Sequence, residues 1–385
     1  MDRRAFLQWS ASTPLLAWGL PAAASQSPSR RRLLVLVELK GGNDGLNTVA
    51  PLGDPAYARL RPRLAMARES LLPVSEAAGL HPSLDKLLPL WSSGELAIVQ
   101  GVGYPDPNLS HFRSIEIWDT ASGSHDYLEE GWLARAFARN PSPAAYAADG
   151  VVVGASDLGP LAGTGARAIA LTSPEDFLRN ARLAQGAQHR SRNPALAHIL
   201  KVERDIARSA ERLEPGRDLK TVFPPGPFGA ALRTAARLAA NPQGVSVIRV
   251  TLSGFDTHAN QQGVHAQLLR QLGDGLAALR SALVETGRWP DTLVATYSEF
   301  GRRPRENHSG GTDHGTAAVH FVAGGAVKGG LYGEPPRLDR LDGQGNLGFT
   351  VDFRRYYATL LEGAWGGDSR AVLGGGFAPL EFLRS

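Results

Sequence analysis

Aspartate, glutamate and histidine side chains gather in four short glycine-rich segments of this chain. The segments are residues 41–47, 253–260, 298–302 and 311–315. These side chains are the ones that bind divalent cations in a protein without cysteine, and this sequence contains no cysteine. Asp256 and His258 stand two positions apart, so in an extended segment both point to the same side and reach one cation. The candidate metal ligands are Asp44, Asp256, His258, Glu299, Asp313 and His314.

The ligand types restrict the metal and the chemistry. Carboxylates and neutral imidazoles suit zinc, manganese or magnesium, whereas calcium asks for more oxygen ligands. Such cations bind the oxygens of a phosphate or sulfate ester, lower the pKa of a hydroxyl or water, and stabilise the leaving oxygen. We therefore expect a divalent metal (zinc, manganese, magnesium or calcium), as one or two ions. The segment around Asp44, Asn-Asp-Gly, is also a common turn signature.

Ser110 is the candidate nucleophile. It stands where a loop enters a predicted helix, so its hydroxyl lies near backbone N–H groups and the positive end of the helix dipole. A serine at that position is more often simply the N-cap of the helix, and position alone favours the cap. The neighbouring His111 is a candidate base, phosphate contact or packed residue.

Arginines at the end of the third segment and just beyond it complete the candidate site. Arg302, with Arg303 and Arg305, has the planar donor fork that clamps the non-bridging oxygens of an ester. The alternative for these arginines is a solvated loop. Arg302 is accordingly counted with Ser110 and His111 as a candidate catalytic residue.

Apolar, β-branched runs precede the candidate ligands and predict the strands that position them. Residues 31–39, 245–252 and 292–296 read as strands buried on both faces. Helical patterns separate these strands, and such alternation favours a mostly parallel, doubly wound sheet. The carboxyl ends of parallel strands meet at one edge, where open α/β sheets place their sites. The other predicted strands are 96–102, 151–153, 168–171 and 317–322, and the predicted helices are 82–91, 114–120, 129–139, 228–238, 264–283 and 353–365.

The first 24 residues have the pattern of a twin-arginine signal peptide. Arg3 and Arg4 precede an apolar run at residues 15–20 and small residues up to Ala24. An N-terminal anchor helix is the alternative, but the apolar part is too short to cross ~30 Å of hydrocarbon. We expect cleavage after Ala24, export to the periplasm by the twin-arginine translocase, and no stable membrane span afterwards.

Composition narrows the partners. The chain has 385 residues and a net charge of +4, which suits an anionic small-molecule or glycan ester. It has no long basic run and no aromatic-basic repeat, so nucleic acid is not an expected partner. Residues 25–385 suffice for one large α/β domain, in which residues 175–227 read as a helical insertion.

Five short sequences in order resemble a known family. They are GGNDGLN at 41–47, NLSHF at 108–112, GFDTH at 254–258, SEFGR at 298–302 and GTDHG at 311–315. Behind a twin-arginine leader, they are similar to the exported bacterial proteins called DUF1501. That resemblance implies the alkaline phosphatase/sulfatase superfamily and its fold, a three-layer α/β/α sandwich with a mostly parallel central sheet.

The resemblance also implies roles for individual residues. Asp44 resembles the first-strand metal aspartate, Ser110 the nucleophile, and Asp256 with His258 the ligand pair of the first metal. His314 resembles the late histidine before the closing strand. Glu299, with Ser298, stands where the superfamily commonly has Asp-His, which removes an expected imidazole. A one-metal site, a shifted two-metal site and a site without catalysis therefore all remain open.

The function expected from the sequence is an exported, metal-dependent hydrolase of phosphate or sulfate esters with Ser110 as nucleophile. In this hypothesis Asp313 is a further ligand or orients His314 from behind. The alternatives are a non-catalytic exported binding or assembly protein that keeps the fold, and a phosphate-group transferase or mutase.

Overall fold

A nine-stranded sheet organises the protein, and the computed structural model describes residues 32–172, 218–241 and 244–384. Strands and helices are numbered over these residues. The strands are β1 (Leu33–Lys40), β2 (Val49–Pro51), β3 (Leu72–Pro73), β4 (Ala78–Leu80), β5 (Leu96–Gly103), β6 (Ala148–Val153), β7 (Ala168–Leu171), β8 (Val245–Ser253), β9 (Thr292–Tyr297), β10 (Arg302–Glu306), β11 (Thr312–His314), β12 (Ala318–Gly324), β13 (Gly330–Tyr332) and β14 (Val351–Asp352). The helices are α1 (Gly45–Thr48), α2 (Pro55–Leu60), α3 (Leu88–Ser92), α4 (His111–Thr120), α5 (Trp132–Arg139), α6 (Pro227–Ala240), α7 (Gln261–Glu285), α8 (Phe353–Trp365) and α9 (Ser369–Leu373).

The strand order of the large sheet is β13-β5-β12-β9-β1-β8-β6-β7, with β14 beside β5. β12 is antiparallel to both of its neighbours, and the other pairings are parallel. The central strand β1 lies between β8 and β9, so the three strands that precede candidate ligands or their loops are adjacent. Their carboxyl ends therefore meet at one edge of the sheet, as predicted.

Side chains of β1 alternate between two hydrophobic layers. Val35 and Val37 belong to the layer that α6 and α7 cover, whereas Leu34 and Leu36 belong to the layer under α4, α5 and α8. All four are fully buried, and each such side chain contributes ~1.5–3 kcal/mol relative to exposure. A strand apolar on both faces requires helices on both faces. The predicted α/β/α sandwich with a mostly parallel sheet is thus confirmed.

Most predicted elements appear within a few residues of their predicted bounds. The exception is residues 302–314, which the sequence suggested would be a glycine-rich loop. The structure folds them into an antiparallel pair, β10 and β11, in which Arg302 lies opposite His314. Both short strands consist largely of charged residues and lack the apolar alternation that predicts a strand.

Two predicted regions lie wholly or largely outside the described residues. They are the signal peptide at residues 1–24 and most of the helical insertion at 175–227, and both stay predictions. Among the helices that the structure describes, none has the length and apolar character of a transmembrane segment.

Candidate metal centre

Three histidines and one aspartate converge at the carboxyl edge of the sheet. They are His111, Asp256, His258 and His314. The Nε2 atoms of His258 and His314 lie 3.0 Å and 3.1 Å from Asp256 Oδ1. His111 Nε2 lies 3.3 Å from the other oxygen of the same carboxylate, Oδ2. One ligand atom from each of His111, Asp256 and His314 lies within 4.8 Å of the others, which makes this group a candidate metal site. These four residues are called the ligand cluster below.

Each imidazole of the ligand cluster has an acceptor at its second ring nitrogen. The Nδ1 distances are 2.8 Å from His111 to Glu299 Oε1, 3.5 Å from His258 to Asp313 Oδ1, and 2.8 Å from His314 to the Leu109 carbonyl oxygen. We assign the proton of each ring to Nδ1 on the basis of these acceptors, and in that tautomer the Nε2 lone pair is directed at the centre of the cluster. This is the outer support that metal-binding histidines have in proteins.

Two imidazole nitrogens and one carboxylate lie against each other at the centre of the ligand cluster. His258 Nε2 and His314 Nε2 lie 2.9 Å apart, and in the assigned tautomer their lone pairs face each other and the Asp256 carboxylate. Burial, the largest effect, lowers the pKa of His314, so that ring favours its neutral form. The ligand atoms of His111, Asp256 and His314 lie close enough together to hold one divalent cation, and His258 Nε2 borders that group. Three imidazoles with one carboxylate are donors that suit zinc better than magnesium or calcium.

The ligand cluster is open on one side. The side chains of Asp256 and His258 are 46% and 44% exposed, and those of His111 and His314 are 34% and 21% exposed. The inner side is closed by the ring of Phe300, whose centroid lies 4.8 Å and 4.4 Å from those of His111 and His314. A solute can therefore reach the cluster from solvent.

Arg302 fixes Asp256 rather than facing solvent. Its buried guanidinium donates to Asp256 Oδ1 at 2.6 Å and to the carbonyl oxygens of Gly41, Gly42, Phe255 and Thr312. Burial alone would raise the pKa of the Asp256 carboxyl, but the other influences, led by the hydrogen bond and the charge of Arg302, outweigh burial and lower this pKa to about 2. Asp256 is therefore a carboxylate at neutral pH. The guanidinium of Arg302 is thus directed at Asp256 and backbone carbonyls, and not at solvent, where the predicted clamp on substrate would have to lie.

Glu299 lies behind His111. Its buried carboxylate accepts the Gly41 N–H at 2.9 Å and 3.1 Å, in addition to the bond from His111. Gly41 is needed here, because its φ is +119° and a Cβ atom would collide with the backbone nitrogen of Asp256. Glu299 and Asp313 were both predicted as metal ligands. In the structure each carboxylate lies behind a histidine of the ligand cluster and contacts the Nδ1 atom of that ring. Asp313 contacts His258 instead of the predicted His314.

Asp44 is held away from the ligand cluster. Arg61 donates to both of its oxygens, at 2.6 Å and 2.9 Å, and Gln261 and the Leu46 N–H donate as well. Burial raises the pKa of this carboxyl, but the charge and hydrogen bonds of Arg61 outweigh that effect and lower it. The sequence predicted that Asp44 binds the cation, but in the structure both of its carboxylate oxygens already accept hydrogen bonds from protein groups. Asp44 also caps α1, as the turn signature allowed.

Ser110 is exposed at the N-terminus of α4, and its side chain makes no capping hydrogen bond. Its two neighbours both touch the ligand cluster: the Leu109 carbonyl accepts from His314, and His111 belongs to the cluster. Ser110 N–H is bonded to the Asn108 side chain at 2.9 Å, which shapes the turn into the helix. Ser110 is therefore the N-cap residue of α4 by position, but its hydroxyl is not used for capping.

Sequence reasoning missed three contributors. His111 was not expected among the ligands, because it is the first residue of α4 and has no second ligand-type residue at metal-binding spacing. Arg61 and Gln261, which hold Asp44, lie on or beside helices and carry no motif. Recognising residues 302–314 as a hairpin would have predicted that Arg302 lies opposite His314.

Comparison of the sequence with protein families gives one match. The model of the family described as "Protein of unknown function (DUF1501)" matches residues 97–343, well over half of the chain. The match contains every member of the ligand cluster, together with Ser110 and Glu299. No curated protein matches the sequence.

Solved structures resemble the fold at low identity. The lipoteichoic acid synthase LtaP from Listeria monocytogenes is 10% identical with a TM-score of 0.34, and the match covers 79% of this chain and 66% of the synthase, just under two thirds. A mutant of the TAB5 alkaline phosphatase with bound magnesium is 12% identical, with coverage of 78% and 94% and a TM-score of 0.36. The PsFucS1 sulfatase from Pseudoalteromonas sp. is 10% identical, with coverage of 91% and 71% and a TM-score of 0.36. At these values none of the three assigns a ligand or an activity to this chain.

Proposed function

This chain belongs to the DUF1501 family, and from that premise we propose that it is a metal-dependent hydrolase of phosphate or sulfate esters. The single observation that carries the proposal is the ligand cluster. Three imidazole Nε2 atoms meet one carboxylate on an open face, and each ring is held from behind by an acceptor. Structural side chains seldom need such outer support, whereas it is usual at catalytic metals.

The proposed cofactor is a divalent cation held by His111, Asp256, His258 and His314, with zinc the first candidate. When bound, it neutralises the charge that develops on the oxygens of the ester. Glu299, Asp313 and the Leu109 carbonyl fix the orientation of the imidazoles. Arg302 keeps Asp256 ionised and in place. Asp44 is left out of the proposed ligand set because Arg61 occupies it, and a single cation is therefore favoured over two.

Ser110 is the proposed nucleophile. Its hydroxyl oxygen loses its proton and bonds to the phosphorus or sulfur atom, while the bond from that atom to the ester oxygen breaks. The ester oxygen leaves with the bonding electron pair and takes up a proton, so the alcohol is released. Water then attacks the seryl ester, the serine oxygen leaves and is reprotonated, and free phosphate or sulfate is released. The exposed hydroxyl at the N-terminus of α4 supports this role, because the positive end of a helix dipole favours an approaching anion.

Export by the twin-arginine pathway, with residues 1–24 as the signal, is also proposed. The substrate class is an anionic small-molecule or glycan ester, which the net charge of +4 favours.

The test combines metal analysis with an ester panel. The full-length purified protein is loaded with zinc, manganese, magnesium or calcium and assayed on aryl phosphate monoesters, phosphodiesters and sulfates. We expect about one equivalent of bound metal and turnover of at least one ester class. Ser110→Ala should lower that turnover by at least about a thousand-fold and leave metal content unchanged. Ser281→Ala, on the exposed side of α7, is the matched control and should behave as wild type.

Three results would change the proposal. Full activity of Ser110→Ala would remove that residue from the mechanism. Transfer of the phosphate group to an alcohol instead of water, found by product analysis, would identify a transferase or mutase. Less than one equivalent of every metal, with no turnover, would leave a non-catalytic binding or assembly protein.

A further inference from the structure

Phe112 is 89% exposed, more than any other aromatic side chain in the described part of the chain. It is the second residue of α4 and directly follows His111, a member of the ligand cluster. Consecutive Cα atoms lie about 3.8 Å apart, and the Cα–Cβ bonds of a helix tilt toward its N-terminus. Because the N-terminus of α4 is the end at the ligand cluster, the Phe112 ring points toward the same open rim. Successive helical side chains diverge by about 100°, so this ring borders the cluster without covering it.

A second exposed ring lies at the same end of α4. The guanidinium carbon of Arg113 lies 3.9 Å from the centroid of the Tyr127 ring. The same guanidinium donates to the carbonyl oxygens of Ser124 and Asp126, at 3.1 Å and 2.5 Å. These bonds hold residues 124–127 against the first turn of α4, while Tyr127 stays 75% exposed. A single exposed apolar side chain is ordinary, but two aromatic rings at the end of one helix, next to an open cluster, mark a contact surface.

The polar side chains next to Phe112 favour an aromatic ligand over a sugar. Asn108 accepts from the Ser110 N–H through its side-chain oxygen, and its carbonyl oxygen accepts from the Ser114 hydroxyl. Arg113 is buried and donates to backbone carbonyls. These groups are therefore already bonded within the protein. The hydroxyls of a sugar would lose water there without gaining partners, whereas an aryl group has no such groups to satisfy.

We infer that Phe112 and Tyr127 form an aryl-binding surface, and that the substrate is an ester with an aromatic ring on its alcohol side. This inference rests on the proposed function, since the anionic group of the ester lies at the ligand cluster while its ring contacts Phe112. One pair of aromatic rings in contact raises affinity about two- to tenfold. The surface therefore selects among esters that the ligand cluster alone would treat alike.

Phenylphosphonate and methylphosphonate are the probes, because both keep the anionic group, neither has an ester bond to cleave, and only one has a ring. Benzenesulfonate and methanesulfonate repeat the comparison for sulfate esters. Binding to the full-length, zinc-loaded protein is measured by calorimetry. In at least one pair we expect the aryl probe to bind about fivefold tighter than the methyl probe. Phe112→Ala should remove most of that preference, whereas Phe112→Trp, which keeps an aromatic ring, should retain it.

The variants are chosen so that folding is not at issue. Phe112 belongs to none of the hydrophobic clusters of the described residues, so Phe112→Ala should fold with wild-type circular dichroism. Val222→Ala, which shortens another exposed apolar side chain on the loop before α6, is the matched control and should keep the ring preference. Comparing variants with the same probes also cancels any difference in acidity between the aryl and the methyl probe.

The outcomes separate this inference from the proposed function. Equal affinities within both pairs, together with ester turnover, would overturn the aryl surface and leave the hydrolase standing. An unchanged ring preference in Phe112→Ala would overturn the surface as well. If that variant also turned a dimeric wild type into a monomer, the rings would be a contact between two copies. A ring preference that depends on Phe112, without turnover of any ester, would support the surface and remove the hydrolase. No binding of any probe and no turnover would overturn both.

Discussion

Arg61 and Asp44 form a bidentate, fully buried ion pair, with oxygen–nitrogen distances of 2.6 Å and 2.9 Å. The guanidinium also donates to the carbonyl oxygens of Arg303 and Pro304, so it joins the end of β1 to the hairpin of β10 and β11. This pair is the physical reason that the acid of the first glycine-rich segment is separated from the ligand cluster. It also gives the first prediction.

Asp44→Ala leaves the Arg61 charge buried without a partner. We expect the free energy of unfolding to fall by about 3–5 kcal/mol, the usual result of breaking a buried pair. Metal content should stay near one equivalent, because Asp44 does not belong to the ligand cluster. Denaturant titration and metal analysis measure the two effects. Asp54→Ala, which removes the half-buried N-cap of α2, is the control and should cost only ~1 kcal/mol. Loss of metal without loss of stability would return Asp44 to the ligand set.

His258→Ala removes one of the converging Nε2 atoms. We expect zinc affinity to fall at least a hundred-fold, because a direct ligand matters more than its support, whose loss costs 10–100-fold. A competition titration with a zinc chelator measures the change. His125→Ala is the control, since that side chain is 85% exposed and outside the cluster. Unchanged affinity in His258→Ala would contradict the proposed centre.

Glu299→Gln tests the support behind His111. The amide keeps the size of the side chain but lacks the charge that holds the Nδ1 proton of the ring at 2.8 Å. Zinc affinity should fall by about 10–100-fold while the fold is kept. Glu129→Gln, an exposed acid before α5, provides the matched control. If the two variants bind zinc equally, Glu299 has only the structural task of accepting from Gly41.

His320 predicts a pH-dependent stability that is independent of any metal. It is fully buried on β12, packs against Trp118 and Tyr356, and neither ring nitrogen finds a partner in the described residues. Burial lowers the pKa of His320 from 6.5 to about 3. Between these two values the unfolded state binds the proton and the folded state does not, so stability is lost as the pH falls below about 6.5.

The contribution of His320 should be as much as ~1.4 kcal/mol per pH unit across that window. Denaturant midpoints of wild type and His320→Phe, measured from pH 7 to pH 4.5, isolate it as a difference in slope. The variant should lose less stability on acidification than wild type. His81 and His265, whose pKa values burial lowers to about 4, act equally in both proteins and cancel. Identical slopes would show that His320 does not titrate in this range.

The sequence determined the frame of the site. Apolar runs fixed β1, β8 and β9, because a strand buried on both faces has few other ways to satisfy its side chains. The spacing of Asp256 and His258 predicted that both side chains lie on one side of an extended segment. His314 was predicted as a ligand because it is a histidine in a glycine-rich segment that follows a buried strand. These features depend on short stretches of chain, which local physics governs.

Only the tertiary structure decided how the remaining polar side chains pair. In the sequence, Asp44 and Glu299 are both acids that follow a buried strand. In the structure, Asp44 pairs with Arg61, whereas Glu299 contacts His111. The sequence suggested that Arg302 binds substrate. In the structure the hairpin of β10 and β11 directs its guanidinium at backbone carbonyls instead. In each case the partner is distant in sequence, and its approach depends on how separate loops cross at the edge of the sheet. A buried charge pairs with whichever partner the packing brings within hydrogen-bonding distance, because a buried charge without a partner would cost several kcal/mol of desolvation free energy.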